Sequence, residues 1–123
     1  YGWGNNEVGL AKNQQLPAVP LSIRGFKIGE TLISAHAGEL FNEHGTEIKD
    51  AFPTNRPWVA SYCDDYIGYI STLQPHDEIK DIPVTEIVDM KKYRRYYGTT
   101  TSPYAPEAGE ALVASAINVL KTL

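Results

Sequence analysis

The spacing of apolar side chains shifts at Gly38 from a period of two to one of about 3.6, and that change narrows what the chain can build. Before it, Leu21-Ser22-Ile23-Arg24-Gly25-Phe26-Lys27-Ile28 alternates apolar and polar residues, the period of a half-buried strand. Gly29-Glu30 interrupts the run, and Thr31-Leu32-Ile33-Ser34-Ala35 resumes a strand-like composition. Two such runs around a glycine-containing pair predict a β-hairpin. After Gly38, the residues Leu40, Phe41, His44, Ile48 and Phe52 recur at helical spacing. They predict an amphipathic helix over residues 39–51, stopped by Pro53. Residues 56–63, ending in Trp58-Val59-Ala60-Ser61-Tyr62-Cys63, then read as the next strand. Strand, helix and strand at this distance form a βαβ unit with a parallel pair, so the expected class is α/β.

The remainder is less regular. Residues 73–85 are polar, carry Pro75 and Pro83, and are expected to be a surface loop; 86–97 suit a short helix and 99–103 a second loop. Pro106 opens a final helix to about Thr122, with Leu112, Val113, Ala116, Ile117 and Leu120 on its buried face, and this helix should pack on the sheet. Residues 1–20, rich in Gly, Asn and Gln, read as an extended lead-in to a segment spanning 21–123. A start at Tyr1-Gly2-Trp3-Gly4, without an initiator Met, suggests a piece of a longer polypeptide.

Charge and composition remove some functions. A net charge of -4 and a pI near 5.3 argue against nucleic-acid binding through phosphate contacts. The single cysteine, Cys63, excludes an internal disulfide framework, and its apolar surroundings suggest a buried thiol in a strand.

Two places could carry chemistry. Glu39 follows Gly38 where a strand ends, the position beyond which α/β sheets bind ligands. It is equally a glutamate in a first helical turn, favoured by the helix dipole. Asp64-Asp65-Tyr66-Ile67-Gly68-Tyr69 also leaves a strand end, and a parallel pair would bring it close to Glu39. Its carboxylates and phenols suit cation binding or acid–base work, or simply a turn with packing aromatics. The three histidines form no ligand set by spacing: His36 precedes the strand–helix junction, His44 suits a helix core, and His76 falls in the polar loop, where it should be solvated. The basic run Lys91-Lys92-Tyr93-Arg94-Arg95-Tyr96-Tyr97 fits a solvated helical face, or contact with a membrane surface through anionic headgroups. These residues alone do not complete a catalytic centre.

Three blocks in order resemble the neutral (non-lysosomal, alkaline) ceramidase family. The first runs from Phe26-Lys27-Ile28-Gly29-Glu30-Thr31-Leu32-Ile33 to Ala37-Gly38-Glu39. The second is Ala60-Ser61-Tyr62-Cys63-Asp64-Asp65-Tyr66-Ile67-Gly68-Tyr69-Ile70-Ser71-Thr72, and the third is Tyr97-Gly98-Thr99-Thr100-Thr101-Ser102-Pro103-Tyr104-Ala105-Pro106. The resemblance implies that the chain is the C-terminal part of a larger catalytic domain, with Glu39 and Tyr69 as zinc ligands and Tyr97 stabilising the oxyanion. It implies hydrolysis of the amide bond of an N-acyl lipid such as ceramide. Two histidine ligands and a serine motif would come from upstream in the same polypeptide. It also implies a secreted, periplasmic or membrane-associated extracellular location. Ala37 where proline is usual, Asp64-Asp65 where asparagine is common, and a longer 74–96 segment depart from the family pattern. The alternative is a non-catalytic lipid- or peptide-binding domain that grips its ligand with Tyr93, Tyr96, Tyr97 and Tyr104.

Overall fold

The computed structural model describes residues 20–87 and 89–123; all of the expected lead-in except Pro20 lies outside them. Strands β1 (Ile23–Ile28) and β2 (Thr31–His36) pair antiparallel with Ile28 opposite Thr31, which leaves Gly29 and Glu30 as the turn. Gly29 takes φ 59° at its first position, a backbone glycine adopts without strain. After a further two-residue strand β3 (Glu39–Leu40), helix α1 spans Asn42–Asp50 and returns the chain to β4 (Trp58–Ala60). Strand β4 lies parallel to β2, with Ser34 opposite Val59, so the sheet order is β1-β2-β4 and the βαβ unit is present. A separate two-stranded sheet joins β3 to β5 (Tyr69–Ile70), also in parallel.

Helix α6 (Ala108–Leu120) packs on the sheet and α1. It begins two residues after Pro106, because Pro106 and Glu107 form the turn that precedes it. Leu32, Ile48, Val113, Ala116 and Leu120 form the main core, with Ile23, Leu40, Phe52, Val59 and Ile117 half-buried around it. Burying each large aliphatic chain is worth about 1.5–3 kcal/mol. Exposed ion pairs such as Arg24–Asp64 are worth about 0.2–1 kcal/mol, so this core, and not surface charge, holds the layers together.

Several expectations are corrected. Helix α1 starts at Asn42 instead of residue 39: Gly38, at φ 81°, turns the chain, Glu39 N donates to the Gly68 carbonyl at 2.8 Å, and Phe41 N donates to Ile70 O at 3.1 Å. The strand expected over 56–63 ends at Ala60, because Tyr62 and Asp64 both take positive φ (61° and 71°). Cys63 is accordingly half-buried and outside the strand.

Residues 73–85 are not a loop. Helix α2 runs Leu73–Ile79 and α3 Val84–Ile87. Pro75 sits in the first turn of α2, where an N–H has no intrahelical partner to lose, and Pro83 immediately precedes α3 and accepts from Ile87 N at 3.0 Å. The expected 86–97 helix is broken at Asp89, whose carboxylate caps a new turn by accepting from Lys91 N at 3.0 Å. Helix α4 (Met90–Tyr93), a 3-10 turn (Arg94–Tyr96) and α5 (Tyr97–Thr100) follow, so the expected second loop begins inside a helix.

Candidate active-site cluster

Glu39 and Tyr69 are register partners across the parallel β3–β5 pair. Partners in such a pair point to the same side of the sheet from strands about 4.8 Å apart. Gly38 makes the approach possible: a Cβ there would lie 2.8 Å from the Ile67 side chain and 3.0 Å from the Gly68 carbonyl. Tyr97, at the start of α5, sets its ring edge-on to Tyr69 with centroids 5.8 Å apart, and Phe41 meets Tyr69 from another side at 6.4 Å. The three residues that the family resemblance singled out therefore converge, although positions 39, 69 and 97 lie far apart in sequence. Glu39 and Tyr69 are half-buried, and Tyr97 keeps 38% of its surface exposed.

The electrostatics follow from this packing. Burial raises the Tyr69 phenol above its usual value of 10.0, and the neighbouring Glu39 charge and hydrogen bond raise it further. Tyr62 also faces Glu39; hydrogen bonding to that carboxylate is the chief reason its phenol is pushed up to about 12. Thus one carboxylate gathers two phenols that hold their protons firmly.

The other candidates divide differently. Asp64 pairs with Arg24 at 3.1 Å, and Asp65 accepts from Tyr66 N at 2.7 Å, so both carboxylates serve the turn. Tyr93 and Tyr96 are buried against Ile87, which removes them from an exposed aromatic surface, and Tyr104 is half-buried, donating to the Ile67 carbonyl at 2.6 Å. The basic side chains stay exposed: Lys92 pairs with Glu86, and Arg95 lies 3.8 Å from Glu78.

A polar cluster that sequence reasoning missed lies beneath β5. His44 is buried, as expected, with Nε2 3.3 Å from the Ser71 carbonyl. His76, expected to be solvated, is half-buried with Nε2 2.7 Å from Ser71 Oγ, and Glu110 accepts from Leu73 N at 3.1 Å. Burial lowers the His76 pKa below 6.5, the carboxylates of Glu110, Glu107 and Asp77 only partly opposing it. Burial lowers that of His36 as well. A depressed imidazole pKa means that the unfolded chain binds more protons just below pH 6.5. Stability is therefore complete above that value and falls as pH drops from it towards the folded values. The urea midpoint should decrease between about pH 7.5 and about pH 5.5, and His76→Gln should flatten part of that slope.

Two oxygen donors side by side, a carboxylate and a phenol, fit half of a tetrahedral zinc set. Among the described residues no group of three or more His, Cys, Asp or Glu converges to hold a metal ion, so this chain would need donors from elsewhere. No described helix is long and apolar enough to cross a membrane. Compared with protein-family models, curated proteins and solved structures, the chain matches none.

Proposed function

We propose that this chain supplies half of the zinc centre of an amidohydrolase that cleaves the amide bond of an N-acyl, ceramide-like lipid. The observation that carries the reading is the Glu39–Tyr69 register pair with Tyr97 packed against it. Glu39 and Tyr69 would hold the metal together with two histidines from an upstream part of the polypeptide. Zinc bound there would supply Lewis acidity towards the amide carbonyl and towards water. Tyr97, partly open to solvent, donates its phenolic proton in a hydrogen bond to the carbonyl oxygen as that oxygen gains charge. Such a donor is worth about 2.7–4 kcal/mol when well placed. Phe41 packs edge-on against the Tyr69 ring and helps to hold it in place.

The test is the zinc content of the whole polypeptide beside its Tyr69→Phe variant. Phenylalanine keeps the ring contacts and removes only the oxygen. The expected result is about one zinc per chain in the parent and an affinity lowered by about 100-fold in the variant. Equal affinity in both would remove Tyr69 from the ligand set. A parent without zinc would turn the reading to a binding domain built on the same scaffold.

A further inference from the structure

The two faces of the β1-β2-β4 sheet are treated differently. Side chains alternate between the faces along a strand, and register partners share a face. Ile23, Gly25 and Leu32 point towards α6, so closely that a Cβ on Gly25 would lie 2.7 Å from Val119 Cγ1. Phe26, Ile28, Ile33 and Trp58 point the other way. Ile33 is the register partner of Phe26 on one side and of Trp58 on the other, so three apolar side chains form a row across all three strands. Ile33 is half-buried, but Phe26 keeps 46% of its surface exposed, and Ile28 and Trp58 keep 69% each.

A sheet face turned to water carries polar residues, and parallel pairs such as β2–β4 occur almost only where both faces are covered. Among the described residues, α1 and α6 cover the Leu32 face. An aromatic side chain presents about 150–250 Å², so at these exposures the row and Ile28 leave about 350–450 Å² of apolar surface. One side of a standard protein interface buries about 800 Å², of which about 450 Å² is apolar. The patch is therefore the size of one half of a dimer contact.

Its border carries one charge of each sign. Arg24, two residues from Phe26 and on the same face, pairs with Asp64 at 3.1 Å. Such a border is self-complementary about a two-fold axis, where Arg24 of one copy can face Asp64 of the other. A membrane surface would call for an excess of Lys or Arg around the patch, which a balanced pair in a chain of net charge -4 does not supply. We propose that this face of the sheet is a dimerisation surface for a second copy of the chain, with Phe26 and Trp58 at its centre. It stands independently of the zinc reading.

The experiment is sedimentation of the whole polypeptide beside its Phe26→Thr and Trp58→Thr variants. Threonine suits a strand, and both positions are exposed, so the fold is retained. The parent should be dimeric at about 10 μM, and each variant should dissociate about 30-fold more readily. In the unaltered protein, hydroxyl-radical labelling of Phe26 and Trp58, read by mass spectrometry, should fall as concentration rises through the dimer range. A monomeric parent overturns the proposal, and so does a dimer that both variants form as tightly. Labelling that is already low at full dilution means that another part of the polypeptide covers the face, and a monomer that instead floats with neutral lipid vesicles makes the occupant a membrane; either result overturns it.

Discussion

Gly109→Ala is expected to destabilise the fold by about 2–3 kcal/mol, although helix propensity alone predicts a gain of up to about 1 kcal/mol. The sign of the change is therefore decisive. Gly109 is buried in the first turn of α6, where the helix crosses His44 and the chain leaving β5. A Cβ there would lie 2.1 Å from His44 Nε2, 2.7 Å from its Cε1 and 2.8 Å from the Ser71 carbonyl. The Ser71 oxygen belongs to the backbone and cannot swing aside. His44 is 1% exposed, so its ring has no free space to enter. Pushing that ring away would also break its contact with the Ser71 carbonyl, leaving a buried imidazole whose Nδ1 already lacks a partner. An unsatisfied buried polar group costs about 1–3 kcal/mol. Urea unfolding of the variant reads the result, and a midpoint equal to or above the parent's would contradict this packing of α6 on His44.

Glu39→Ala carries the largest expected effect on function. It removes the one carboxylate of the cluster, and zinc affinity of the whole polypeptide should fall by at least about 100-fold. A second readout needs no metal. Glu39 is the chief cause that holds the Tyr62 phenol at about 12, against an ordinary value of 10.0. In the variant, Tyr62 should therefore ionise at a pH nearer 10.0, and Tyr69, which Glu39 also raises, should move down as well, visible in the ultraviolet absorbance of phenolate. An unchanged titration, whatever the zinc result, would mean that Tyr62 and Glu39 are not in contact.

Much of the scaffold is legible in the residues themselves. The alternation over 21–28 and the Gly29-Glu30 interruption specify the hairpin, because period two with one face buried fixes which side each residue takes. The stripe of Leu112, Val113, Ala116 and Leu120 specifies the buried face of α6. The misreadings have local causes. Leu73-Gln74-Pro75 looks like a break, yet proline in a first turn opens a helix. Glu39 suits a first helical turn by type, but two backbone hydrogen bonds to the segment before and within β5 pull it into a sheet. Those bonds are non-local, so no window of sequence around Glu39 contains them.

The cluster was legible only in part. Strand-end position drew attention to Glu39 and to the 64–69 turn, while Tyr69 and Tyr97 stood out through the family resemblance alone. Tyr62 left no signal, since nothing marks a tyrosine for positive φ. The Ser71–His76 contact was hidden by reading residues 73–85 as a loop, because a histidine on a helix folding back over β5 lies in a different environment from one on a polar loop.

The two-residue β3–β5 ladder also has a consequence for where the molecule opens. Glu39 and Tyr69 are about 30 positions apart, and bringing such ends together costs about 3 kcal/mol of chain entropy in addition to a fixed term. The bonds that close the ladder, Glu39 N to Gly68 O and Phe41 N to Ile70 O, return about 0.5–1.5 kcal/mol each. The closure is therefore nearly balanced, whereas the hairpin is local and its partner strand feeds directly into the core. The ladder's own bonds therefore add little net stability, and the Glu39–Tyr69 junction is expected to be among the first contacts to open. Any ligand that bridges the two residues adds its binding free energy to that closure, so occupancy of the site would tie together two segments that the ladder alone holds weakly.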